Sequence, residues 1–164
     1  MLVLGIDPGF GITGYGIIEI KNLDLQNPKL IEAGILRSQK TKSLSERLQE
    51  IYDHIIEILN DFKPEGMAIE EVYSSKSFPR SGIQIGNVQG IVLLAAAQKK
   101  ISISTYFPIQ VKKALLGHGH ATKIQMQKMI QRTLHLETVP QPDDAADALA
   151  VALCHAQRMI KIVR

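Results

Sequence analysis

An apolar run, Leu2-Val3-Leu4-Gly5-Ile6, ends in a carboxylate, Asp7, and a Pro8-Gly9 turn follows at once. The run reads as a buried strand and the turn as its stop. Any fold built on this stretch must hold one acid at the edge of its core. Moving an unpaired charge toward apolar surroundings costs several kcal/mol unless a partner compensates. Asp7 therefore either caps the turn with its own backbone or belongs to a charged site whose other members come from elsewhere in the chain.

The stretches that follow have alternating strand and helix character. Ile12 to Ile20 is rich in β-branched and apolar residues, and Leu30 to Arg37 resembles it. Short connections predict an antiparallel meander of three strands. From Ser43 to Phe62, apolar residues recur every three or four positions, and Ser43 with Glu46 matches a helix capping box. Met67 to Tyr73 predicts a fourth strand, parallel to the first because a helical crossover precedes it. A polar loop, Ser74 to Gly82, leads to a helix over Ile83 to Lys100, a fifth strand over Ile101 to Phe107 and a short helix from Pro108 to Leu116. After a Gly117-His118-Gly119-His120 loop come helices over Ala121 to Leu134 and Asp143 to Met159, then a basic tail, Lys161 to Arg164. The His-x-His pair has no further ligand nearby, so it reads as a phosphate contact before a zinc site. Gly82, Gly86 and Gly90 fall on one ridge of their helix. Each glycine in a helix interior costs about 1 kcal/mol against alanine. The ridge thus marks a close approach, either to the sheet or to a subunit or nucleic-acid backbone.

The chain has 164 residues, 45% of them hydrophobic, and a mean hydropathy of +0.03, which suits one domain with a real core, 1–164. No apolar run reaches the length of a membrane span, and no export signal is expected at the N-terminus. The single Cys154 excludes an internal disulfide framework and fits a reducing cytoplasm. Charge is uneven along the chain. Residues 1–73 hold 7 Lys/Arg against 12 Asp/Glu, whereas residues 74–164 hold 12 against 4. A second half with this balance favours a polyanionic partner.

Those few acids in the basic half are concentrated. Asp143-Asp144-Ala145-Ala146-Asp147-Ala148-Leu149-Ala150 opens the last helix. Residues three or four apart share a helix face, so Asp147 stands beside Asp144 or Asp143. Capping and the helix dipole account for acids in the first turn, but less well for Asp147 in an alanine-rich stretch. Strand four carries Glu70 and Glu71, of which only one shares a face with Asp7. Four carboxylates from these elements would repel one another unless hard cations neutralised them. Oxygen-only ligands suit Mg2+ or Mn2+, and two such ions can activate water against a phosphodiester. Acids of this kind in a basic surface predict a nuclease.

These motifs resemble the RNase H-like nuclease fold: an α/β architecture with a five-stranded mixed sheet, three antiparallel then parallel strands, flanked by helices. Within it, Leu4-Gly5-Ile6-Asp7-Pro8-Gly9 with Thr13-Gly14-Tyr15-Gly16, then Ala68-Ile69-Glu70-Glu71-Val72-Tyr73, then Asp144-Ala145-Ala146-Asp147-Ala148-Leu149-Ala150 resemble the RuvC family of bacterial Holliday-junction resolvases. The resemblance implies a Mg2+-dependent homodimer, Mn2+ substituting, with two ions per site. It would cut opposing strands of a four-way DNA junction and work with a branch-migration motor. It implies Asp7, Glu70, Asp144 and Asp147 as catalytic, metal-binding carboxylates. It implies Tyr73 as a base-stacking aromatic, and Lys112 and Lys123 as contacts to the DNA phosphate. Asp143 is an extra acid, a cap or an outer-shell group. The Gly86/Gly90 ridge is expected near the dimer interface. Two other readings share some of these residues. Gly5 to Gly9 with Thr13-Gly14 resembles the first phosphate loop of actin-like ATPases and sugar kinases, but no second such loop is found. A structural junction-binding module without cleavage would not need all four acids.

Overall fold

A computed structural model describes residues 1–71 and 79–163. β1 (Leu2–Asp7), β2 (Ile12–Glu19) and β3 (Lys29–Arg37) form the expected antiparallel meander. α1 (Leu44–Phe62) crosses to β4 (Gly66–Glu70), which pairs parallel with β1. α2 (Pro79–Gln98) leads to β5 (Ile103–Tyr106), parallel to β4. α3 (Pro108–Leu116), α4 (Lys123–Thr133) and α5 (Asp143–Val163) follow. The strand order is β3-β2-β1-β4-β5, the mixed five-stranded sheet of the RNase H-like fold.

Alternation of strand side chains builds a core on each face of this sheet. Val3 and Ala68 pack with Ala146, Leu149 and Ala152 of α5. Leu4, Ile6, Met67 and Ile69 pack on the other face with Ile51 and Ile55 of α1 and Val88 and Val92 of α2. α1 begins as the sequence predicts: Glu46 N donates to Ser43 Oγ at 3.4 Å, and Ser43 N donates to the Glu46 carboxylate at 2.8 Å. Cys154 is buried, in keeping with a small core residue.

Several boundaries differ from expectation. Residues 79–82 belong to α2 and are helical rather than loop. The rest of the predicted loop, 74–78, and the predicted strand residues Val72 and Tyr73 lie outside the described residues. α5 continues through Val163, so the basic tail is largely an extension of that helix. The glycine ridge does not pack on the sheet. A Cβ at Gly86 or Gly90 would meet nothing within 4 Å, and both positions are exposed. The buried face of α2 is instead Val88, Val92, Ala95 and Ala96.

Candidate active site

The carboxyl ends of two parallel strands set the first pair of acids. β1 and β4 run in register from Val3 opposite Gly66 to Ile6 opposite Ile69. One residue further, Asp7 and Glu70 stand abreast. Their side chains share the face of Val3 and Ala68, which is the face covered by α5. Glu71 takes the opposite orientation by strand alternation. Its backbone N–H donates to the Tyr106 carbonyl at 2.8 Å.

The second pair arrives on α5, and glycines let it come close. Gly5 on β1 and Gly14 on β2 lie directly under that helix. A Cβ on Gly5 would fall 2.0 Å from the Ala148 carbonyl oxygen, and one on Gly14 2.0 Å from that of Asp144. Gly14 is also the partner of Asp7 in the β1–β2 ladder. Backbone therefore touches backbone where the helix crosses, and Asp144 and Asp147 are delivered beside Asp7. Pro142 starts the helix, its carbonyl accepting from Ala145 N and Ala146 N at 3.0 and 3.3 Å.

The electrostatics record the convergence. Burial, and then the charges of Asp147 and Asp144, push the Asp7 carboxyl up to about 7. Burial, Asp7 and Asp147 push Glu70 up to about 8. Burial also raises Asp147, against the opposing pull of Lys123. The side chain of Glu70 partly offsets the rise at Asp7, and that of Asp7 adds to the rise at Glu70. Carboxylates this crowded hold protons where bulk solution would remove them. Among the described residues, no group of three His, Cys, Asp or Glu side chains is already closed around a metal position. Here Asp147 pairs with Lys123 instead. The donor set still suits a hard divalent cation: all ligands are oxygen, and Asp7, Glu70 and Asp147 are each raised partly by a neighbouring acid.

Lysines face the acids across a cleft of about 240 Å³. Glu70, Asp147, Lys112 and Lys123 line it, with Val111 and Met126 as apolar walls. Lys112 partly offsets the charge of Glu70. Lys123 Nζ lies 3.0 Å from Asp143 and 3.5 Å from Asp147. Asp143 is thus turned toward α4 and does not cap its own helix. Six of the seven expected site residues, all but Tyr73, therefore meet at one end of the sheet. Tyr73 lies outside the described residues. His118 and His120 are exposed beyond α3 and, among the described residues, join no metal-ligand group.

One contributor was not foreseen. α1 reads as plain scaffold, yet its Arg47 holds the turn after Asp7. The guanidinium donates from Nε to Ser38 Oγ and from Nη2 to the Phe10 carbonyl, both at 3.1 Å. It lies 3.7 Å over the Phe10 ring. Ser38 Oγ donates to the same Phe10 carbonyl at 2.9 Å, and Thr13 Oγ1 to the Gly9 carbonyl at 2.8 Å. The available signal was an arginine in a helix first turn, where the dipole disfavours a cation.

The chain is similar to known proteins over most of its length. The model of the family described as crossover junction endodeoxyribonuclease RuvC matches residues 3–155. A protein of that description from Natranaerobius thermophilus is 40% identical over 157 residues, 96% of this chain and 95% of its own length. One from Pelotomaculum thermopropionicum is 44% identical over 156 residues, 95% of this chain and 93% of its own. The structure of Thermus thermophilus RuvC in complex with Holliday junction substrate superposes with a TM-score of 0.90 at 34% identity, covering 98% of this chain and 96% of that one.

Proposed function

The chain belongs to the crossover junction endodeoxyribonuclease RuvC family, and from this premise we propose that it cuts opposing strands of a four-way DNA junction as a divalent-metal enzyme. The observation that carries the metal reading is the set of converging acids, Asp7, Glu70 and Asp147, each raised partly by another acid, beside Lys112 and Lys123. Asp7, Glu70, Asp144 and Asp147 would hold Mg2+, or Mn2+ in its place, as two ions per site. The bound metal supplies an activated water and stabilisation of the leaving oxygen. The chain's own residues do the rest. Lys112 and Lys123 hold the phosphate at the mouth of the cleft. Tyr73, two residues past Glu71, stacks on an unpaired base at the crossover, a contact worth about 1–3 kcal/mol. Family membership over residues 3–155 favours this reading over an ATP-binding fold or a non-cleaving module.

The protein works as a homodimer on this reading, because two-fold symmetry presents one site to each of two equivalent strands. The exposed face of α2, with Gly86, Gly90, Ile83 and Leu94, is the surface we assign to that contact. Residues 1–164 act as one nuclease domain, in the cytoplasm, alongside a branch-migration motor. No helix among the described residues is long and apolar enough to cross a membrane. The decisive experiment incubates labelled four-way junctions and plain duplex with the protein in Mg2+ and in EDTA. Paired symmetrical nicks in the junction alone, and only with Mg2+, are expected. Binding without nicking in any divalent metal would reject the reading.

A further inference from the structure

We propose that Asp143 is a positioning residue which, with Gln127, seats the Lys123 ammonium at the mouth of the cleft. The inference rests on Lys123 serving the site as described above, and it concerns how that lysine is held. Both oxygens of Asp143 are engaged by α4: Oδ1 accepts from Gln127 Nε2 at 2.9 Å, and Oδ2 lies 3.0 Å from Lys123 Nζ. The geometry is reciprocal. Lys123 and Gln127 are four apart on α4, as Asp143 and Asp147 are on α5, so one face of each helix start meets the other. Lys123 is the first residue of α4, and a cation there opposes the helix dipole. Thr122 and Gln125 nevertheless fix that helix start as a capping box, with bonds of 3.3 and 2.8 Å. The lysine is thus held in an unfavourable place by a rigid helix end and an acid from the next helix.

Asp143 differs in kind from Asp147. Asp147 lines the cleft, whereas Asp143 is exposed and does not. Were Asp147 to hold a cation, Lys123 would lose its 3.5 Å partner but keep its 3.0 Å partner. The ammonium then stays beside the incoming phosphate instead of swinging into solvent. The arrangement passes Lys123 from acid to phosphate without releasing it.

The test reads Lys123 directly. Reductive methylation of the full chain, in EDTA and in Mg2+, followed by mass spectrometry, reports the reactivity of each lysine amine. Lys128, exposed on the same helix, is the internal reference. Asp143→Asn is expected to raise the Lys123 rate about two- to five-fold, the range an exposed ion pair supports, with Lys128 unchanged. Gln127→Ala moves it the same way by less. In single-turnover cleavage at saturating junction, Asp143→Asn slows the reaction without weakening junction binding, and has no further effect in a Lys123→Met background. An unchanged Lys123 rate, an equal rise at Lys128, or an equal loss of cleavage in the Lys123→Met background would each overturn the proposal. Failure of the metal reading shows elsewhere: Mg2+ would then promote no cleavage, while the methylation contrast in EDTA would persist.

Discussion

Asp7 and Glu70 end adjacent parallel strands on the same face, where burial and neighbouring acids raise both carboxyls. Ionising both would set two largely buried negative charges side by side, only partly offset by Lys123 at Asp7 and Lys112 at Glu70.

Stability without metal should therefore fall as pH rises. Asp7 moves from 3.8 to about 7 and Glu70 from 4.5 to about 8, so the folded protein holds protons that the unfolded chain releases. Their contribution is fully present below about pH 4 and is lost as pH climbs through 7 to 8. Asp7→Asn cannot ionise and should flatten this slope, leaving the variant more stable than the parent at pH 8 by roughly 1–3 kcal/mol. Buried His155, whose affinity for a proton is lowered by burial, acts in the opposite sense at acid pH but cancels in this difference. Chemical denaturation at pH 5 and pH 8 in EDTA measures it, and added Mg2+ should restore the parent at pH 8.

The same substitution should separate binding from chemistry. Asp7→Asn is expected to reduce junction cleavage at least about a hundred-fold, near 3 kcal/mol in the barrier, while gel-shift affinity for the junction holds. Loss of folding at pH 7 would return Asp7 to a structural turn role.

The contact of α5 with the sheet should tolerate no side chain. Gly14→Ala places a methyl against the Asp144 carbonyl and should cost about 1–3 kcal/mol, with cleavage lost as Asp144 is displaced. Gly11→Ala, where a Cβ meets nothing within 4 Å, is the matched control and should leave both unchanged. Thermal melts and cleavage rates of the two variants decide the point.

Arg47→Met keeps the aliphatic stem but removes two bonds and the charge over Phe10. A loss of about 1–3 kcal/mol is expected in urea unfolding, because hydrogen bonds to charged groups sit at the strong end of the range. Cleavage should fall with the loosened turn while junction binding holds.

Gly86→Leu tests the dimer. Nothing inside the chain meets a side chain there, and leucine favours helix over glycine, so the folded monomer should gain up to about 1 kcal/mol. Sedimentation should nonetheless shift toward monomer. A dimer of unchanged affinity would remove this face of α2 from the interface.

Much of the architecture is a local matter and was legible before the structure. The alternation of Ile12 to Ile20, the three-and-four spacing of α1 and its Ser43–Glu46 cap depend on neighbours within a turn or two. The same is true of the acid that stops β1 at a Pro-Gly turn. Local preference is blind to what covers a face. It therefore left Glu70 and Glu71 equivalent and offered Asp143 or Asp144 as the partner of Asp147, and only resemblance to a family chose between them. It also left the approach at the glycines open: Gly86 and Gly90 of α2 face outward, away from the sheet, while Gly5 and Gly14 in their strands admit α5 to the site. Position along the chain determined that four carboxylates, two lysines and an arginine would be present. The parallel register of β1 with β4, and the backbone contact of α5 across β1 and β2, decided which of them meet. Those contacts join residues more than sixty positions apart, and no local preference encodes a distance of that kind.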